Sequence, residues 1–271
     1  MRQTGADQSG WLEQFYDAYP RIEETFHVAL DESLNPRGPE LLYDLVGDFG
    51  LKAGARTVDV GCGEGRHAFE LARRFGFTVL GIDPLPRHVE LATAAEADER
   101  VRFAMGSADA LPVETATVDL VWCRDVLSHV ADPEGAYAEV RRVLRSGGRA
   151  LVYQMFGTER LEPREAEWLW RSLGVVPTST DPTHTEAAIS AAGLRIDERV
   201  DIGSEWGERA EEQSGAVGRR LLHAARLLRE PERYVERFGQ AAYEIMLGDC
   251  LWHVYAMIGK LERRAYSLTS L

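Results

Sequence analysis

The chain has 271 residues, of which 45% are hydrophobic, and a chain of this size and composition can form at least one large domain with a substantial core. Its 44 acidic and 31 basic residues give a formal net charge of −13, which repels nucleic-acid phosphates and anionic membranes at long range. The three cysteines lack metal-like spacing, and the opening residues lack the apolar stretch of a signal peptide. We therefore predict a cytoplasmic monomer or homodimer, with no metal site and no nucleic-acid or membrane partner.

Helices are predicted first, and an alternation of strands and helices follows them. Apolar and aromatic residues recur at helical spacing from Trp11 to Phe26, and a further helix is predicted over 39–49. From residue 57 onwards, short apolar runs alternate with helical stretches. Strands are predicted at 57–60, 78–82, 102–105, 118–123 and 149–155, and helices at 67–75, 86–97 and 133–144. This alternation predicts βαβ units, and therefore a parallel sheet with helices on both faces.

The second half of the chain is more helical. Helices are predicted at 162–173 and 183–192, a strand at 195–202, mainly helix from 205 onwards, and a final strand at the end. A long helical connection between two strands is typical of a lid or binding element. We divide the chain into an amino-terminal helical segment or lid (1–50), an α/β core (51–156), the rest of the core sheet with its connecting helices (157–204), a helical insertion (205–263) and a terminal strand (264–271).

The stretch TVDVGCGEGRHAF, residues 57–69, joins the first strand of the core to its helix. Gly61, Gly63 and Gly65 stand at every second position, at the edge where open α/β sheets bind ligands. A dinucleotide site has the spacing G-x-G-x-x-G, with the third glycine at the start of the helix. Here Arg66 takes the place of that third glycine. The spacing therefore disfavours a nicotinamide or flavin dinucleotide.

Acidic residues lie at or just beyond the first three strands of the core. Asp59 is expected to point toward the glycine turn, where a carboxylate can hold an ammonium group directly or through water. Asp83 ends the second strand in LGIDP, about 20 residues beyond the turn, where an acidic residue accepts both hydroxyls of a ribose. Asp109, in GSADALP, is placed to accept from an exocyclic adenine amine. Acidic residues in this arrangement suit a nucleoside with a positively charged tail. The pattern therefore favours a sulfonium cofactor over a polyphosphate.

Over roughly residues 40 to 156 the chain resembles the class I S-adenosylmethionine-dependent methyltransferases. The stretches that carry the resemblance are, in order, VDVGCGEGRHAFELA, VLGIDP, GSADALPVETATVDLVWC, LSHV and VRRVLRSGGRALV. The complete set in this order is far more specific than any one member. The resemblance implies a Rossmann-like α/β fold, with a mostly parallel twisted sheet, helices on both faces, an amino-terminal helical segment and a carboxyl-terminal helical lid insertion.

The resemblance also implies contacts with S-adenosylmethionine, which becomes S-adenosylhomocysteine after transfer. Asp83 would hold the ribose, Ala108 and Asp109 would flank the adenine, and Arg124 would line the methionine end. Arg66 and His67, at the start of a helix, are interpreted as surface or capping residues of its first turn. The full set of implied cofactor contacts is Tyr16, Asp59, Gly61, Cys62, Gly63, Gly65, Asp83, Pro84, Ala108, Asp109 and Arg124.

Methyl transfer from a sulfonium is an in-line displacement with a neutral leaving group, so the enzyme mainly aligns the reactants and excludes water. A base is needed only where the nucleophile must lose a proton. His129, in WCRDVLSHV after the fourth strand, is the candidate base, and the alternative is a structural histidine. Asp125, in the same loop, is a candidate for orienting a substrate, and the alternative is a cap on the following turn.

The substrate pocket is predicted between the carboxyl edge of the sheet, the amino-terminal helices and the insertion. Tyr16 is the preferred lid residue, Tyr153 and Gln154 end the fifth strand, and Trp206 opens the insertion in GSEWGERAEE. The run RRLLHAARLLREPERY predicts a lid helix with arginines that reach the solvent. The alternative is a helix that holds an acidic or phosphorylated substrate such as a prenyl diphosphate.

The leading hypothesis is an S-adenosylmethionine-dependent methyltransferase that modifies an oxygen, nitrogen or carbon nucleophile of a small molecule, with a specialised metabolite favoured as the substrate. An alternative enzyme would use the sulfonium charge only electrostatically, for cyclisation or decarboxylation. A third alternative is a non-catalytic partner-binding protein with a vestigial cofactor site. A nicotinamide-dependent dehydrogenase is the least favoured of the alternatives.

Overall fold

A computed structural model describes residues 5–271, with side chains from residue 10 onwards, and divides the chain into two compact units. The first unit, Met1–Pro36, contains one long helix, α1 (Gly5–Leu30), which continues through Pro20. The rings of Trp11 and Phe15 stack at a centroid distance of 5.6 Å along this helix. Residues four apart share one face of a helix, so this stack reflects the spacing that predicts the helix.

The second unit, Arg37–Leu271, contains the remaining described helices and all of the described strands. Its helices are α2 (Leu41–Asp48), α3 (Arg66–Phe75), α4 (Pro86–Ala95), α5 (Pro133–Val143), α6 (Pro163–Leu173), α7 (Pro182–Ala191), α8 (Glu205–Ser214), α9 (Ala216–Arg229), α10 (Pro231–Phe238) and α11 (Gln240–Met257). Its strands are β1 (Arg56–Val60), β2 (Thr78–Asp83), β3 (Val101–Met105), β4 (Val118–Arg124), β5 (Leu144–Gly157), β6 (Leu194–Asp201) and β7 (Leu261–Ser270). Short 3-10 turns cover Leu127–His129 and Pro177–Thr180.

These strands form one sheet in the order β3-β2-β1-β4-β5-β7-β6. The first five strands are parallel, whereas β7 runs antiparallel to both of its neighbours, β5 and β6. The chain starts in the middle with β1, adds β2 and β3 on one side, and then crosses to β4 on the other side. This reversal brings the carboxyl ends of β1 and β4 together as a crevice. The predicted α/β fold with a mostly parallel sheet is therefore confirmed.

Helices cover both faces of the sheet because side chains alternate along each strand. In β4, Val121 and Cys123 face a cluster that includes Tyr137 of α5. The neighbouring residues Leu120 and Trp122 face the opposite cluster, which contains residues of α2 and α3. Strands that are buried on both faces consist of continuous apolar runs, which is the pattern that predicts them from sequence.

The insertion consists of α8 to α11 and connects the antiparallel strands β6 and β7. Asp201 at the end of β6 pairs in register with Arg264 of β7, so the insertion leaves and rejoins the sheet at neighbouring positions. Its long helix α11 packs against α6, where Trp170 and Trp252 meet edge to face at 5.9 Å, and α9 packs on the other side of α11. The insertion thus stands at the carboxyl edge of the sheet.

Candidate functional site

The glycine turn at the end of β1 is shaped by three residues with positive φ: 68° at Gly61, 53° at Gly63 and 85° at Gly65. A Cβ atom at Gly61 would lie 2.2 Å from the side chain of Val126, and one at Gly65 would lie 2.6 Å from Phe103. At Gly63 a Cβ atom would meet nothing within 4 Å. Two of the glycines are therefore required by packing within the chain, and Gly63 is the one whose open side adjoins free space.

Asp83 holds this turn in place from the end of β2. Asp83 is 5% exposed, and its Oδ2 atom accepts a hydrogen bond of 2.9 Å from the backbone N–H of Gly63. Its Oδ1 atom accepts from the backbone N–H of Leu85 at 2.9 Å and from Nδ1 of His88 at 3.0 Å. Two carboxylate oxygens offer about four acceptor sites, so Asp83 keeps capacity for a ligand hydroxyl at this edge.

Asp59 lies beneath the turn and is 2% exposed. Its Oδ2 atom is buried and has no hydrogen-bond partner among the described residues. Burial, opposed by a backbone hydrogen bond from Ala68, raises the pKa of Asp59 to about 7, and the charge of Asp83 contributes to the same direction. A buried carboxylate with one oxygen left without a partner is costly, so this position favours a ligand that brings a positive charge.

The other residues implied as cofactor contacts lie around the same edge in different ways. The Cys62 thiol is buried beside the Gly63 carbonyl, and burial raises its pKa to about 12, so it is not a nucleophile. Pro84 is exposed directly after Asp83. The methyl group of Ala108 is buried in the core, while Asp109 is exposed and accepts a hydrogen bond from Ser107 Oγ.

Arg124 ends β4 and is held by a residue of α3 that the sequence analysis placed on the surface. Its Nη1 atom donates to Nε2 of His67 at 2.8 Å, and the Nδ1 atom of His67 lies 2.6 Å from the hydroxyl of Tyr43. The interpretation of His67 as a surface or capping residue is therefore wrong. Its ring is half-buried because it lies in the first turn of α3, and this turn faces Arg124 at the end of β4.

A cavity of about 590 Å³ opens next to Arg124, between the carboxyl ends of β4 and β5 and the insertion. Arg124 and Asp125 stand at its sheet side, and the aromatic rings of Tyr153, Trp206 and Trp252 contribute to its walls. Its remaining lining residues are Pro39, Ser128, His129, Met155, Leu173, Val175, Gly207, Ala210, Ala216, Val217, Arg220, Asp249, His253 and Arg263. The cavity is thus mostly apolar and aromatic, with a few converging polar groups, as binding sites for small molecules are.

His129 lines this cavity as the last residue of the 3-10 turn that follows β4. Its Nδ1 atom lies 2.9 Å from the carbonyl oxygen of Gly174. Because a carbonyl can only accept, Nδ1 carries the hydrogen, and Nε2 of the neutral ring keeps a lone pair. Asp125 lines the same cavity and has a φ of 59°, which is uncommon for a residue other than glycine.

The two aromatic residues predicted at the substrate mouth do meet. Tyr153 of β5 and Trp206 of α8 stack with centroids 4.7 Å apart and planes inclined by 10°. The structure does not bring Gln154 to this cavity. Because side chains alternate along β5, Gln154 faces the opposite side of the sheet, where its amide donates to the carbonyl of Ser179. Tyr16 is exposed on α1, in the separate amino-terminal unit, and its role as a lid residue stays a prediction.

The insertion adds a polar group that the sequence analysis missed. Arg220 of α9 forms an ion pair with Asp249 of α11, and both side chains are about one-third exposed toward the cavity. Nδ1 of His253 lies 2.8 Å from the carbonyl oxygen of Asp249, so this ring also carries its hydrogen on Nδ1 and keeps Nε2 as an acceptor. The i, i+4 spacing of Asp249 and His253 on one helix is the signal that places them on a common face.

Comparisons with known proteins agree with this geometry. A family model described as a methyltransferase domain matches residues 58–152, which run from β1 into β5. A 27-O-demethylrifamycin SV methyltransferase from Amycolatopsis mediterranei is 31% identical over 231 residues, 77% of this chain and 84% of that protein. An O-methyltransferase, resE, from Aspergillus sclerotiorum is 26% identical over 228 residues, 80% of this chain and 83% of that protein.

The chain belongs to the class I S-adenosylmethionine-dependent methyltransferases. Its fold agrees with this assignment, since the solved structure of the [4+2]-cyclase SpnF superposes with a TM-score of 0.65, covering 85% of this chain and 80% of that chain at 23% identity. The methyltransferase uses S-adenosylmethionine as its methyl donor and acts on a small molecule. No described helix of the methyltransferase is long and apolar enough to cross a membrane.

The residues at the edge of the sheet are compatible with this cofactor. The unpartnered Asp59 oxygen offers a place for a positive charge, and the open side of Gly63 leaves room beside the turn. Within residues 10–271, the methyltransferase brings no three His, Cys, Asp or Glu side chains together in a way that would hold a metal ion.

Proposed function

We propose that this methyltransferase is an O-methyltransferase that modifies a hydroxyl group of a bulky, mainly apolar specialised metabolite. The observation that carries the proposal is His129, which lines the cavity with its Nδ1 atom bonded to the Gly174 carbonyl and its Nε2 lone pair left available. A hydroxyl nucleophile is the class of acceptor that benefits from such a base, because its oxygen must lose a proton during transfer.

The cofactor site is assigned to the carboxyl edge of β1, β2 and β4. Asp59 would hold the ammonium group, Asp83 the ribose hydroxyls, and Arg124 would line the methionine end. Gly61, Gly63 and Gly65 would contact the cofactor through their backbone, together with Cys62 and Pro84, and Ala108 and Asp109 would flank the adenine. When bound, the cofactor supplies an electrophilic methyl group on a sulfonium, and the protein supplies alignment and exclusion of water.

The acceptor site is assigned to the cavity of about 590 Å³, which begins at Arg124 and Asp125. The stacked pair of Tyr153 and Trp206 would form a flat wall for the apolar part of the substrate. The indole Nε1 of Trp206 is buried in this wall without a hydrogen-bond partner among the described residues. Gln154 faces away from this cavity and is not included in the proposed acceptor site.

The charges of the cavity favour a hydroxylated substrate over a diphosphate. Arg220 is already paired with Asp249, and Arg263 donates to the carbonyl of Gly203 at 3.1 Å. Arg124 donates to His67. Asp125 and Asp249 line the cavity beside these three arginines, so their carboxylates offset much of the positive charge that a group with several negative charges would need.

The names of the relatives support transfer to oxygen. The Amycolatopsis protein is described as a 27-O-demethylrifamycin SV methyltransferase and the Aspergillus protein as an O-methyltransferase. The alignments span more than four-fifths of both relatives' own length.

Product analysis tests the proposal. The purified protein is incubated with methyl-labelled S-adenosylmethionine and a panel of polyhydroxylated aromatic and macrocyclic compounds, with amine analogues of the same skeletons in parallel. We expect the label as an O-methyl group by carbon NMR, together with one S-adenosylhomocysteine for each product. Label on nitrogen or carbon would overturn the assignment to oxygen, and a rearranged product without S-adenosylhomocysteine would indicate an electrostatic role for the cofactor.

Replacement of the candidate base provides a second test. His129→Gln keeps a side chain of similar size that can bond the Gly174 carbonyl, but it removes the basic nitrogen. We expect turnover to fall by about 100-fold, the lower end of what general-base catalysis contributes, while the cofactor dissociation constant stays the same. His184→Gln is the matched control, because His184 pairs with Glu134 outside the cavity. Equal turnover of His129→Gln and the wild type would remove the base from the mechanism.

A further inference from the structure

Arg124 lies between two groups that compete for its guanidinium. On one side, its Nη1 atom donates to Nε2 of His67 at 2.8 Å. On the other side, its Nε atom lies 3.7 Å from Oδ2 of Asp125, too far for a hydrogen bond. The Nε atom is buried and has no hydrogen-bond partner within the described part of the chain. The guanidinium is therefore hydrogen-bonded to the neutral ring, and its contact with the carboxylate is an ion pair without a hydrogen bond.

Arg124 determines which atoms donate and which accept in the hydrogen bonds that join Arg124, His67 and Tyr43. A guanidinium can only donate, so Nε2 of His67 must be unprotonated and Nδ1 must carry the hydrogen. Nδ1 then donates to the hydroxyl oxygen of Tyr43, 2.6 Å away. Burial, with help from the charges of Arg124 and Arg66, lowers the pKa of His67 to about 4. His67 thus stays neutral, and able to accept from Arg124, throughout the neutral range.

Tyr43, which orients His67, is itself held in place by packing. Its ring is 7% exposed, stacks on Trp122 at 5.0 Å, and is covered by the guanidinium of Arg74 at 4.2 Å from its centroid. Burial also raises the pKa of Tyr43 to about 12, so it remains a neutral phenol. Packing against an indole and a guanidinium holds the Tyr43 ring in one orientation, and its hydroxyl therefore fixes the orientation of the His67 ring.

Asp125 would be the natural partner of Arg124 if His67 were absent. Its φ of 59° places a residue other than glycine in the left-handed region, and such strain is frequent at functional sites. Its carboxylate lines the cavity, and its side chain is half-exposed. Desolvation raises its pKa, and the facing groups Arg124, Arg263, His129 and His253 oppose that rise.

We propose that His67 is a positioning residue that keeps the Arg124 guanidinium from forming a hydrogen-bonded pair with Asp125, and so leaves the Asp125 carboxylate free to accept a hydrogen bond from a second hydroxyl of the substrate, while the methylated hydroxyl donates its hydrogen to His129. The part that concerns the hydroxyl rests on the proposed function, whereas the competition for Arg124 does not. Without His67, the nearest acceptor for the released N–H groups is Asp125, and arginine and carboxylate form strong two-point pairs. Such a pair would neutralise Asp125 and withdraw it from the substrate.

The test measures the carboxyl group of Asp125 directly, in the full-length protein without substrate. Aspartate labelled with carbon-13 is titrated by NMR, and the Asp125 signal is assigned from its loss in Asp125→Asn. In His67→Phe, Arg124 turns to Asp125, and we expect the pKa of Asp125 to fall by about one pH unit or more, as beside a close opposite charge. In His67→Gln the amide oxygen accepts from Arg124 as Nε2 does, and the pKa stays near that of the wild type.

Two further variants keep the test decisive. His184→Phe is the matched control, because the same substitution at a histidine outside the cavity leaves Asp125 unchanged. Tyr43→Phe removes the hydroxyl that orients His67, and we expect a shift in the same direction as in His67→Phe but smaller; this variant serves where His67→Phe does not fold. An Asp125 pKa that is the same in wild type and His67→Phe, or that falls equally in His67→Gln, overturns the proposal. Because no methyl acceptor is present, these results do not depend on which nucleophile the enzyme methylates.

Discussion

The two walls of the site are built in different ways. On the sheet side, Asp59 and Asp83 stand on neighbouring parallel strands, and Asp59 lies in register with Gly81 of β2 and Trp122 of β4. On the insertion side, the cavity residues come from the faces of α8, α9 and α11. A strand fixes its residues through backbone hydrogen bonds to both neighbours, whereas the position of a helix face depends on side-chain packing between helices.

This difference assigns separate tasks to the two walls. The sheet offers buried carboxylates at positions fixed by strand register, as a constant ligand such as the cofactor needs. The insertion offers aromatic rings and a half-exposed ion pair, which suit a ligand that varies from one methyltransferase to another. Substitutions on the sheet side should therefore change cofactor binding, and substitutions on the insertion side should change acceptor binding.

The largest effect is expected on the sheet side. Asp83→Ala removes the acceptor that holds the Gly63 N–H and, in the proposed complex, the ribose hydroxyls. We expect the dissociation constant of S-adenosylhomocysteine to rise by about 100-fold, or roughly 2–3 kcal/mol, in calorimetric titrations. Asp98→Ala, at a half-buried acid paired with Arg100 near the start of β3, is the control. An unchanged dissociation constant in Asp83→Ala would contradict the placement of the cofactor at this edge.

A smaller effect is expected at Asp59, on the same wall, where the affinity for the cofactor should depend on pH. Burial raises the pKa of Asp59 to about 7, so the carboxyl is partly protonated in the free protein at neutral pH. The ammonium group of the cofactor favours the ionised form, so binding releases protons and affinity increases as pH rises through 7. We expect the dissociation constant of S-adenosylhomocysteine to fall by about tenfold between pH 6 and pH 8.

The count of released protons sharpens this prediction. Titrations in buffers with different ionisation enthalpies should give about half a proton released per cofactor at pH 7. Asp59→Asn should bind more weakly and lose both the proton release and this part of the pH dependence. Release that persists in Asp59→Asn would show that another group titrates on binding.

The smallest effects are expected on the insertion side. Arg220→Met and His253→Gln each remove one polar group from the acceptor cavity and leave the cofactor edge intact. For a given acceptor we expect the KM to rise by roughly three- to tenfold, the value of one or two hydrogen bonds, with the cofactor dissociation constant unchanged. If either variant also weakens cofactor binding, the two walls do not act independently.

The sequence predicted the sheet side of the molecule well because its signals are local. Buried parallel strands are continuous apolar runs, so β1 to β5 are visible as short stretches of branched residues. The glycine turn and Asp83 are recognised by their spacing from these strands. The open side of Gly63 was also predictable. The clash that a Cβ atom at Gly61 would make with Val126 was not, because it involves two segments that are distant in sequence.

The remaining parts of the site could not be predicted from the sequence, because they depend on contacts between separate helices and strands. His67 follows the glycine turn directly, but its role depends on Tyr43 and Arg124, which lie in α2 and at the end of β4. Arg220 was visible only as one of many arginines in a basic helix, and its partner Asp249 lies in another helix. No periodicity within one helix reports which face will meet a second helix, so the insertion was predictable as helical but not as a binding surface.

The register of β6 and β7 has a consequence for how this enzyme family can diversify. β6 ends at Asp201 and β7 begins at Leu261, close to the residue that pairs with Asp201. The helical segment between these two strands is therefore a cassette that is anchored at both of its ends to the same edge of the sheet. An exchange of that cassette for a helical segment of another length need not shift any strand of the sheet. A graft between two methyltransferases at these two residues should therefore transfer the choice of acceptor and leave the methyl donor the same.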